Sequence, residues 1–452
     1  MIPPRPQGPQ GRSGFLRLAR GFRRDLLSAL PERFYRAWMA EFRNPLIHSF
    51  LCNDPALVRL ILRDRPGDFP KSDRLREGLA PLLGNSIFVT NGAEWARQRR
   101  IIDPAFEGGR LRDSFEAIWQ ASDAALARLT PGEIDIEPEA SHAAADVIFR
   151  ALFSLPIEHD IAARVFRAFR AHQDAQPIVN LAAMVPLPRW LPRPHSHRTR
   201  ATAAQIRGLI QDLVAARMTA IRAGTAPADL ASKIMTTPDP QTGRCFDARE
   251  MVDQVAIFFL AGHETSASAL AWALWLLAAH PEWQDRVAAE GADLARDFTA
   301  ASGLKATRAA FREALRLYPP VPMMVREATR PETFRDRPVP KGAQLVLSPW
   351  HLQRHQRLWD RPDDFDPGRW DTQSGKASAR DAYIPFSAGQ RVCPGAGFAM
   401  LEGVVMLARI TAAFHLSPGH RAPVPVARLT VRGRDGILIR LDRREGNHRE
   451  GA

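Results

Sequence analysis

The chain has 452 residues, of which 45% are hydrophobic and 25% charged, a composition that supports a globular protein with a substantial core. Its formal net charge is +13, which allows an anionic membrane or an acidic protein as a partner, although an arginine-favouring genome explains most of that charge. No zinc-finger spacing, RNA-binding aromatic motif or basic zipper supports nucleic-acid binding, and none is expected. Its three widely spaced cysteines exclude a disulfide framework and are typical of a reducing compartment.

The N-terminal region contains two short segments with different predicted structures. Residues 1–12 are rich in Pro and Gly, which predicts disorder. Residues 15–24 are basic and partly amphipathic, and they favour a first surface helix over a helix lying on an anionic membrane. No run of about 18 apolar residues lies near the N-terminus, so no membrane-spanning anchor is predicted. We therefore expect a soluble protein.

Periodicity and the positions of Pro and Gly predict the elements that follow. Residues 46–52 predict a short strand, and helical periodicity dominates from about residue 93 to residue 280. Four prolines within residues 181–197 prevent a continuous helix and predict a loop, either a lid or a rigid connector. Near the C-terminus, residues 427–441 predict two strands separated by glycines.

Two polar pairs lie at helical spacing. Trp95 and Arg99 are four residues apart, so the indole N–H and the guanidinium can reach the same acidic group. Glu313 and Arg316 are three residues apart, where a solvated ion pair contributing about 0.2–0.5 kcal/mol is the default interpretation.

A long central helix is predicted over residues 248–280. His263, Glu264 and Thr265 interrupt its apolar run, and buried ionisable groups of this kind indicate a polar cavity more than a lipid environment. His-Glu also begins the zinc-binding pattern H-E-x-x-H, but position 267 is Ala267, which excludes that site.

Thr265 has two interpretations. Its hydroxyl can donate to the carbonyl of Ala261, and Gly262 weakens the helix between them, so we expect a local opening in the helix. The alternative is an ordinary core hydroxyl bonded to its own helix.

The segment from Phe386 to Gly395 surrounds one cysteine with the groups that a haem-iron thiolate needs. Gly389 and Gly395 let the backbone turn tightly and approach the sulfur of Cys393. Arg391 supplies a cation that can bind a haem propionate, and Phe386 can cover the sulfur side of the ring. A cysteine ligand donates electron density to the iron and favours O–O cleavage, so this segment indicates oxygen activation.

These motifs together resemble the cytochrome P450 superfamily. The cysteine segment reads F-x-x-G-x-R-x-C-x-G and precedes a helix predicted over residues 396–414. Upstream, in the family's order, lie W-x-x-x-R at 95–99, A-G-H-E-T at 261–265, E-x-x-R at 313–316 and P-G-R-W at 367–370. The resemblance runs from about Phe69 to the C-terminus.

The resemblance implies a fold that is mainly α with a small β-rich part. Length alone predicts two or three domains, whereas the family implies one domain over residues 13–452. It also implies a soluble, bacterial-type monomer in the cytoplasm, and it places the loop at 181–197 between the helices that roof the substrate cavity, as a candidate lid.

The resemblance also assigns roles to individual residues. It implies haem b as the cofactor, with Cys393 as the iron ligand and with binding residues Trp95, Arg99, Arg326, Phe386, Arg391 and Gly395. It implies a buried structural clasp of Glu313, Arg316 and Arg369, which would cost about 3–5 kcal/mol to break. It implies an apolar substrate pocket lined by Leu82, Leu83, Phe258, Ala261, Val321, Met323 and Met324. One departure from the family is Gln353, where His is common; we expect it to alter hydrogen bonding at the haem edge.

The implied activity is haem-thiolate monooxygenation of a C–H bond in a small hydrophobic substrate. Thr265 and Glu264 would deliver protons to the bound oxygen. Electrons would come ultimately from NAD(P)H through an acidic ferredoxin or flavodoxin and its reductase, docked near Arg97 and Arg100. The alternatives are a peroxide-driven peroxygenase or isomerase and a non-catalytic haem sensor, both disfavoured by the intact Glu264-Thr265 pair.

Overall fold

The mainly helical fold is confirmed by the structure, a computed structural model that describes residues 2–9, 25–43, 48–107, 110–175, 195–427 and 429–444. Its α-helices, in chain order, are α1 (Leu26–Ala29), α2 (Pro55–Arg59), α3 (Asp73–Leu83), α4 (Gly92–Phe106), α5 (Arg110–Arg128), α6 (Ile136–Phe153), α7 (Asp160–Ala175), α8 (His197–Arg222), α9 (Leu230–Thr236), α10 (Ala248–Ala278), α11 (Pro281–Ala292), α12 (Phe298–Ser302), α13 (Lys305–Leu317), α14 (Pro349–Leu352), α15 (Gln373–Ala382) and α16 (Ala396–Ala413).

Within the described ranges the strands are short and form four small sheets. They are β1 (Met39–Arg43), β2 (His48–Cys52), β3 (Gly132–Asp135), β4 (Met324–Glu327), β5 (Glu332–Phe334), β6 (Arg337–Val339), β7 (Gln344–Leu347), β8 (Phe414–Pro418), β9 (Pro425–Ala427), β10 (Val431–Gly433) and β11 (Leu438–Arg443). The sheet orders are β1-β2-β7-β4, β3-β11-β8, β9-β10 and β5-β6. Within the first sheet, β2 and β7 are parallel and the other neighbours are antiparallel.

Helix α10 is the central element, and its bounds match the prediction within two residues. Asp247 accepts a hydrogen bond from the Glu250 N–H while the Glu250 side chain accepts from the Asp247 N–H, a reciprocal cap that fixes the start of the helix. The helix continues unbroken through Gly262, so the predicted opening is absent. A Cβ at Gly262 would overlap the side chain of Ile148 on α6, so this glycine allows two helices to pack closely.

Helix α16 packs inside the protein beside α11 and α13. Among the described residues it is the one helix long and apolar enough to cross a membrane, and 61% of that window is buried within the protein. A Cβ at Gly403 would overlap the ring of Phe311 on α13, so the glycine allows the two helices to approach. Its observed end at Ala413 agrees with the predicted helix over residues 396–414.

The chain termini differ from the predictions in two places. Disorder is predicted for residues 1–12, yet in the described part, residues 2–9, Pro4 accepts a hydrogen bond of 2.7 Å from the Tyr318 hydroxyl, and Arg5 pairs with Glu32 and Asp363. The strands predicted within residues 427–441 exist as β10 and β11, but they belong to different sheets.

Three predicted segments fall wholly or partly outside the described residues. They are residues 15–24, most of the loop at 181–197, and the first two residues of the strand predicted at 46–52, which is otherwise observed as β2.

Candidate active site

The loop from residue 386 to residue 395 connects α15 to α16 and is closed by a hydrogen bond from the Cys393 N–H to the Phe386 carbonyl (2.9 Å). Gly389 adopts a φ of +66°, and a Cβ there would overlap the carbonyl of Leu62, so glycine is required on both counts, as predicted. Gly395 differs from the prediction, because its φ of −84° is accessible to any residue.

The Cys393 side chain is exposed within this loop, just before the N-terminus of α16. Although the side chain is accessible, the residues packed around it desolvate the sulfur and so raise the pKa of the Cys393 thiol, while the Gly395 N–H and the positive charges of Arg99 and Lys71 act to lower it. A thiolate bound to a metal would be favoured by the same three groups.

Three cations converge near Cys393 without a carboxylate partner among the residues that the structure describes. Burial lowers the pKa of Arg326 to about 10, and its guanidinium donates a hydrogen bond to the carbonyl of Val325 (3.0 Å). Burial and the charge of Arg326 lower the pKa of Arg391 to about 10. Burial, Arg326, Arg391 and Arg99 lower the pKa of Lys71 well below its usual value. Such a cluster stabilises a bound dianion, and the two propionates of haem fit it.

Trp95 and Arg99 lie beside this cluster, and their joint contact with a propionate stays a prediction. The guanidinium of Arg391 stacks 4.1 Å from the Trp95 ring centroid. Arg99 donates to the Val392 carbonyl (2.7 Å) and pairs with Asp103 (2.8 Å). Arg99 therefore fixes the cysteine loop against α4, while the charge available to a propionate comes mainly from the other three cations.

The predicted clasp forms. Glu313 Oε1 accepts from Arg316 Nη2 and from Arg369 Nε, each at 2.8 Å, and Glu313 and Arg316 are fully buried. Both guanidiniums also donate to backbone carbonyls of residues 360–364, so the clasp joins α13 to the segment before the cysteine loop.

Gln353 has a different role from the predicted one. Its side-chain amide donates to the carbonyls of Leu315 and Arg316 at the end of α13, both at 3.0 Å, and its oxygen accepts from the Ile384 N–H. Gln353 caps the end of α13 inside the protein, so the presence of Gln instead of His at this position affects packing at that helix end.

On α10, Thr265 donates its hydroxyl to the carbonyl of Ala261 at 2.5 Å, as predicted. Ala261 is exposed although Phe259 and Leu260, directly before it on the helix, are buried, so this stretch of α10 faces an opening. The Thr265 oxygen keeps its lone pairs for a second partner in that opening.

Glu264 points elsewhere. Its carboxylate is buried and pairs with Arg432 on β10, and it accepts a hydrogen bond from Thr430 (3.2 Å). His263 beside it is also buried, which lowers the pKa of its imidazole, and its Nε2 lies 3.8 Å from the Glu264 carboxylate.

The predicted pocket residues separate into two groups. Val321 is 37% exposed, and Phe258, Met323 and Met324 are half-buried, as a pocket lining requires. Leu82 and Leu83 are instead 4% and 0% exposed within the main hydrophobic core. Their α3 position is fixed by packing, and the structure does not bring them to the opening.

The predicted docking cations are neutralised within the protein. Arg97 pairs with Glu250 (2.5 Å) and Arg100 pairs with Asp239 (2.6 Å). These two arginines tie α4 to the start of α10 and to the loop before it.

The sequence interpretation missed Lys71, Arg432 and Glu402. Lys71 lies far along the chain from Arg326 and Arg391, and Arg432 lies far from Glu264, so no local spacing in the sequence identifies either residue. Glu402 is buried on α16, accepts from the Ser266 hydroxyl (2.7 Å), and has its pKa raised by burial to about 8.

Comparison with known proteins agrees with this site. A model of the cytochrome P450 family matches residues 31–437. A cyclooctat-9-en-7-ol 5-monooxygenase from Streptomyces melanosporofaciens is 32% identical over 390 residues, covering 84% of this chain and 83% of the relative. A cyclooctatin synthase from the same organism is 31% identical, covering 83% of this chain and 86% of the relative.

The fold agrees as well. The crystal structure of the cytochrome P450DA heme domain has a TM-score of 0.78 at 23% identity and covers 98% of both chains. The chain therefore belongs to the cytochrome P450 family of haem-iron monooxygenases.

Proposed function

We propose that this protein inserts one oxygen atom from O2 into a C–H bond of a small hydrophobic substrate, with electrons from a separate redox partner. The observation that carries the proposal is the Cys393 thiol, held by the Gly395 N–H beside the cluster of Lys71, Arg326 and Arg391. This combination offers one soft metal ligand and a binding place for two propionates.

The residues present fit haem b. Cys393 would ligate the iron, and Lys71, Arg326 and Arg391 would hold the propionates, with Trp95 packed under Arg391. When bound, the haem supplies reductive activation of dioxygen. The protein supplies binding, orientation and exclusion of water.

Side chains of α10 would deliver the protons that the reaction needs. The Thr265 hydroxyl donates to Ala261 and can accept a hydrogen bond from a water molecule in the opening, so it can hold that water in place for proton transfer. Glu264 is the nearest carboxylate along the helix, and it would replenish the proton.

The substrate proposal rests on the lining and on the relatives. Ala261, Val321, Met323 and Met324 present apolar surface, which suits a lipid-like, terpenoid, steroid or aromatic molecule. One relative is named for the oxidation of cyclooctat-9-en-7-ol. A substrate-binding spectral screen that includes this alcohol is the first test of substrate class.

We propose that the electrons come from NAD(P)H through an acidic ferredoxin or flavodoxin and its reductase. We further propose that the enzyme is a monomer in the cytoplasm. The net charge of +13 supports an acidic partner.

The test of the reaction is isotopic. With a binding substrate, NAD(P)H, a ferredoxin and its reductase, product should carry oxygen from labelled O2, and catalase should not suppress its formation. Product that forms only with added peroxide would overturn the monooxygenase proposal in favour of a peroxygenase.

A further inference from the structure

The loop of residues 84–91 joins α3 to α4 and contains neither helix nor strand. Ser86, Ile87, Val89 and Thr90 are nonetheless buried, so most of the loop lies inside the protein instead of on its surface. The backbone N–H and C=O groups of a buried loop need hydrogen-bond partners. Side chains of α10 and α4 supply several of them.

Asp253 on α10 holds the first turn of this loop. Its Oδ2 accepts a hydrogen bond from the Asn85 N–H (2.8 Å). Gly84 has a φ of +49°, and a Cβ there would overlap the Asp253 carboxylate, so the glycine allows the loop to lie against the helix. Asp253 Oδ1 lies 2.7 Å from Nη2 of Arg207 on α8, and Arg207 also donates to the Leu82 carbonyl (3.0 Å). One ion pair between α8 and α10 therefore fixes the start of the loop.

Gln98 on α4 joins the two ends of the loop. Its amide nitrogen donates to the Asn85 carbonyl (2.7 Å), and its oxygen accepts from the Thr90 hydroxyl (2.6 Å). Between these points, Gln254 on α10 accepts from the Ile87 N–H (3.0 Å). Both glutamine side chains are buried, so water does not compete for these hydrogen bonds. A shift at the start of the loop is therefore expected to move its end.

Asn91 binds two cations at the end of the loop. Its Oδ1 accepts from the Lys71 backbone N–H (3.1 Å) and from Arg391 Nη2 (2.8 Å), and its Nδ2 donates to the Lys71 carbonyl (3.0 Å). The Thr90 carbonyl accepts from Arg391 Nη1 (2.8 Å), and the Phe88 carbonyl accepts from the Lys71 ammonium group. Lys71 and Arg391 are two of the three cations that would hold the haem propionates.

Asn91 directly precedes the first turn of α4, where an asparagine side chain usually accepts a hydrogen bond from the N–H groups of the helix. In this structure Asn91 makes no such bond. Its side chain contacts Lys71 and Arg391 instead. Asn91 therefore places positive charge instead of capping its own helix.

We propose that Asn91 is a positioning residue for Lys71 and Arg391, and that the Arg207–Asp253 ion pair acts on these two cations through the loop. The inference rests on the proposed haem-thiolate function. While the ion pair is formed, both ends of the loop are fixed and the two cations stay where the propionates would lie. When the ion pair breaks, the start of the loop loses an anchor, and the cations bind the propionates less well.

The first test measures haem transfer from the loaded protein to an acceptor protein. Asn91→Ala should lose haem about 10- to 100-fold faster than wild type, because this side chain places two charged donors for the propionates. Asn91→Ser should behave in the same way, although serine is a good helix cap and preserves the start of α4. Haem loss at the wild-type rate in Asn91→Ser would overturn the proposal.

The same measurement examines the far end of the loop. Arg207→Gln should lose haem about two- to fivefold faster than wild type, as expected for a partly exposed ion pair. Arg207→Lys keeps the charge and should restore most of the wild-type rate. Arg222→Gln changes an exposed arginine on the same helix and is the matched control, which should have no effect. Equal rates in Arg207→Gln and Arg222→Gln would contradict the role of the ion pair.

A double-variant cycle tests whether the effect passes through the loop. In the Asn91→Ala background, Arg207→Gln should accelerate haem loss much less than it does in wild type, because the cations have already lost their main contact with the loop. If the two variants instead multiply each other's effects, the ion pair acts by a separate route and the proposed connection is wrong.

The midpoint reduction potential of the loaded protein separates charge placement from a general loss of stability. Positive charge near the haem favours the reduced form, so displacement of Lys71 and Arg391 should make the potential more negative. Asn91→Ser should show this shift, Arg207→Gln a smaller one, and Arg222→Gln none. A wild-type potential in Asn91→Ser would sink this inference alone. A wild-type protein that binds haem without a thiolate-type spectrum would instead sink the proposed function.

Discussion

At the scale of single residues, what decides each role is the partner that the fold supplies. Thr265 and Glu264 are neighbours in the sequence, but the hydroxyl binds within its own helix and the carboxylate binds Arg432, 168 residues away. The sequence predicted the first contact because it is local. It could not predict the second, since no spacing rule connects a helix to a strand so far along the chain.

Thr265→Ala should uncouple oxygen consumption from product formation. The variant keeps the haem ligand and the pocket, but it loses the hydroxyl that holds the proton-delivering water, a step worth about 10²- to 10⁴-fold. We expect NAD(P)H oxidation to continue while hydrogen peroxide replaces product. Thr219→Ala is the control, because Thr219 makes the same kind of bond to its own helix on an exposed surface. Unchanged product per electron in Thr265→Ala would return Thr265 to the role of a core hydroxyl.

Arg326→Gln should weaken haem retention. The guanidinium is 5% exposed and has no carboxylate partner among the described residues, so a propionate is the partner that would stabilise it. Loss of one charge-assisted hydrogen bond corresponds to about 10- to 100-fold faster haem loss. The measurement is haem transfer to an acceptor protein, with Arg330→Gln as a surface control. Equal transfer rates in both variants would remove Arg326 from the haem site.

At the scale of elements, periodicity carried the predictions that succeeded. The bounds of α10 and α16 were predictable because their apolar runs are local in the sequence. The terminal strands were harder to predict, since β10 pairs with β9 while β11 lies between β3 and β8 in another sheet. The clasp of Glu313, Arg316 and Arg369 was predicted from the family resemblance. In the structure its three side chains are buried and paired with one another, out of contact with solvent.

Glu313→Gln should destabilise the protein by about 3–5 kcal/mol, because it strands two buried guanidiniums. Chemical denaturation of the haem-loaded protein measures the change. Glu116→Gln breaks an exposed pair with Arg296 and is the matched control, which should alter stability little. A loss in Glu313→Gln no larger than that of the control would show that the clasp contributes no more than a surface ion pair.

At the scale of the whole molecule, one hydrophobic cluster extends from Leu27 to Leu441 and includes most of the long helices. The single domain over residues 13–452, which length alone does not predict, stays a prediction. The net charge is a property of the whole surface, and the structure neutralises Arg97 and Arg100 by local pairing. The positive charge that would attract the proposed redox partner must therefore come from other arginines.

Reduction by an acidic ferredoxin should slow as salt concentration rises, because the net charge of +13 attracts the partner over a Debye length of about 10 Å at 0.1 M salt. Stopped-flow reduction of the substrate-bound enzyme at several salt concentrations measures this. We expect Arg97→Gln to change the salt dependence little, since Glu250 already pairs with that arginine. Reduction rates independent of salt would contradict electrostatic recruitment.

The most direct test of the central claim is the spectrum of the reduced carbon-monoxide complex in Cys393→His. Wild type, Cys52→Ala and Cys245→Ala should all show the thiolate-type spectrum, because Cys52 is buried in a separate core cluster and Cys245 lies in the loop before α10. Cys393→His should lose that spectrum while still binding haem through its cations and the new imidazole. A thiolate-type spectrum that persists in Cys393→His would contradict the assignment of the iron ligand and the haem-thiolate chemistry built on it.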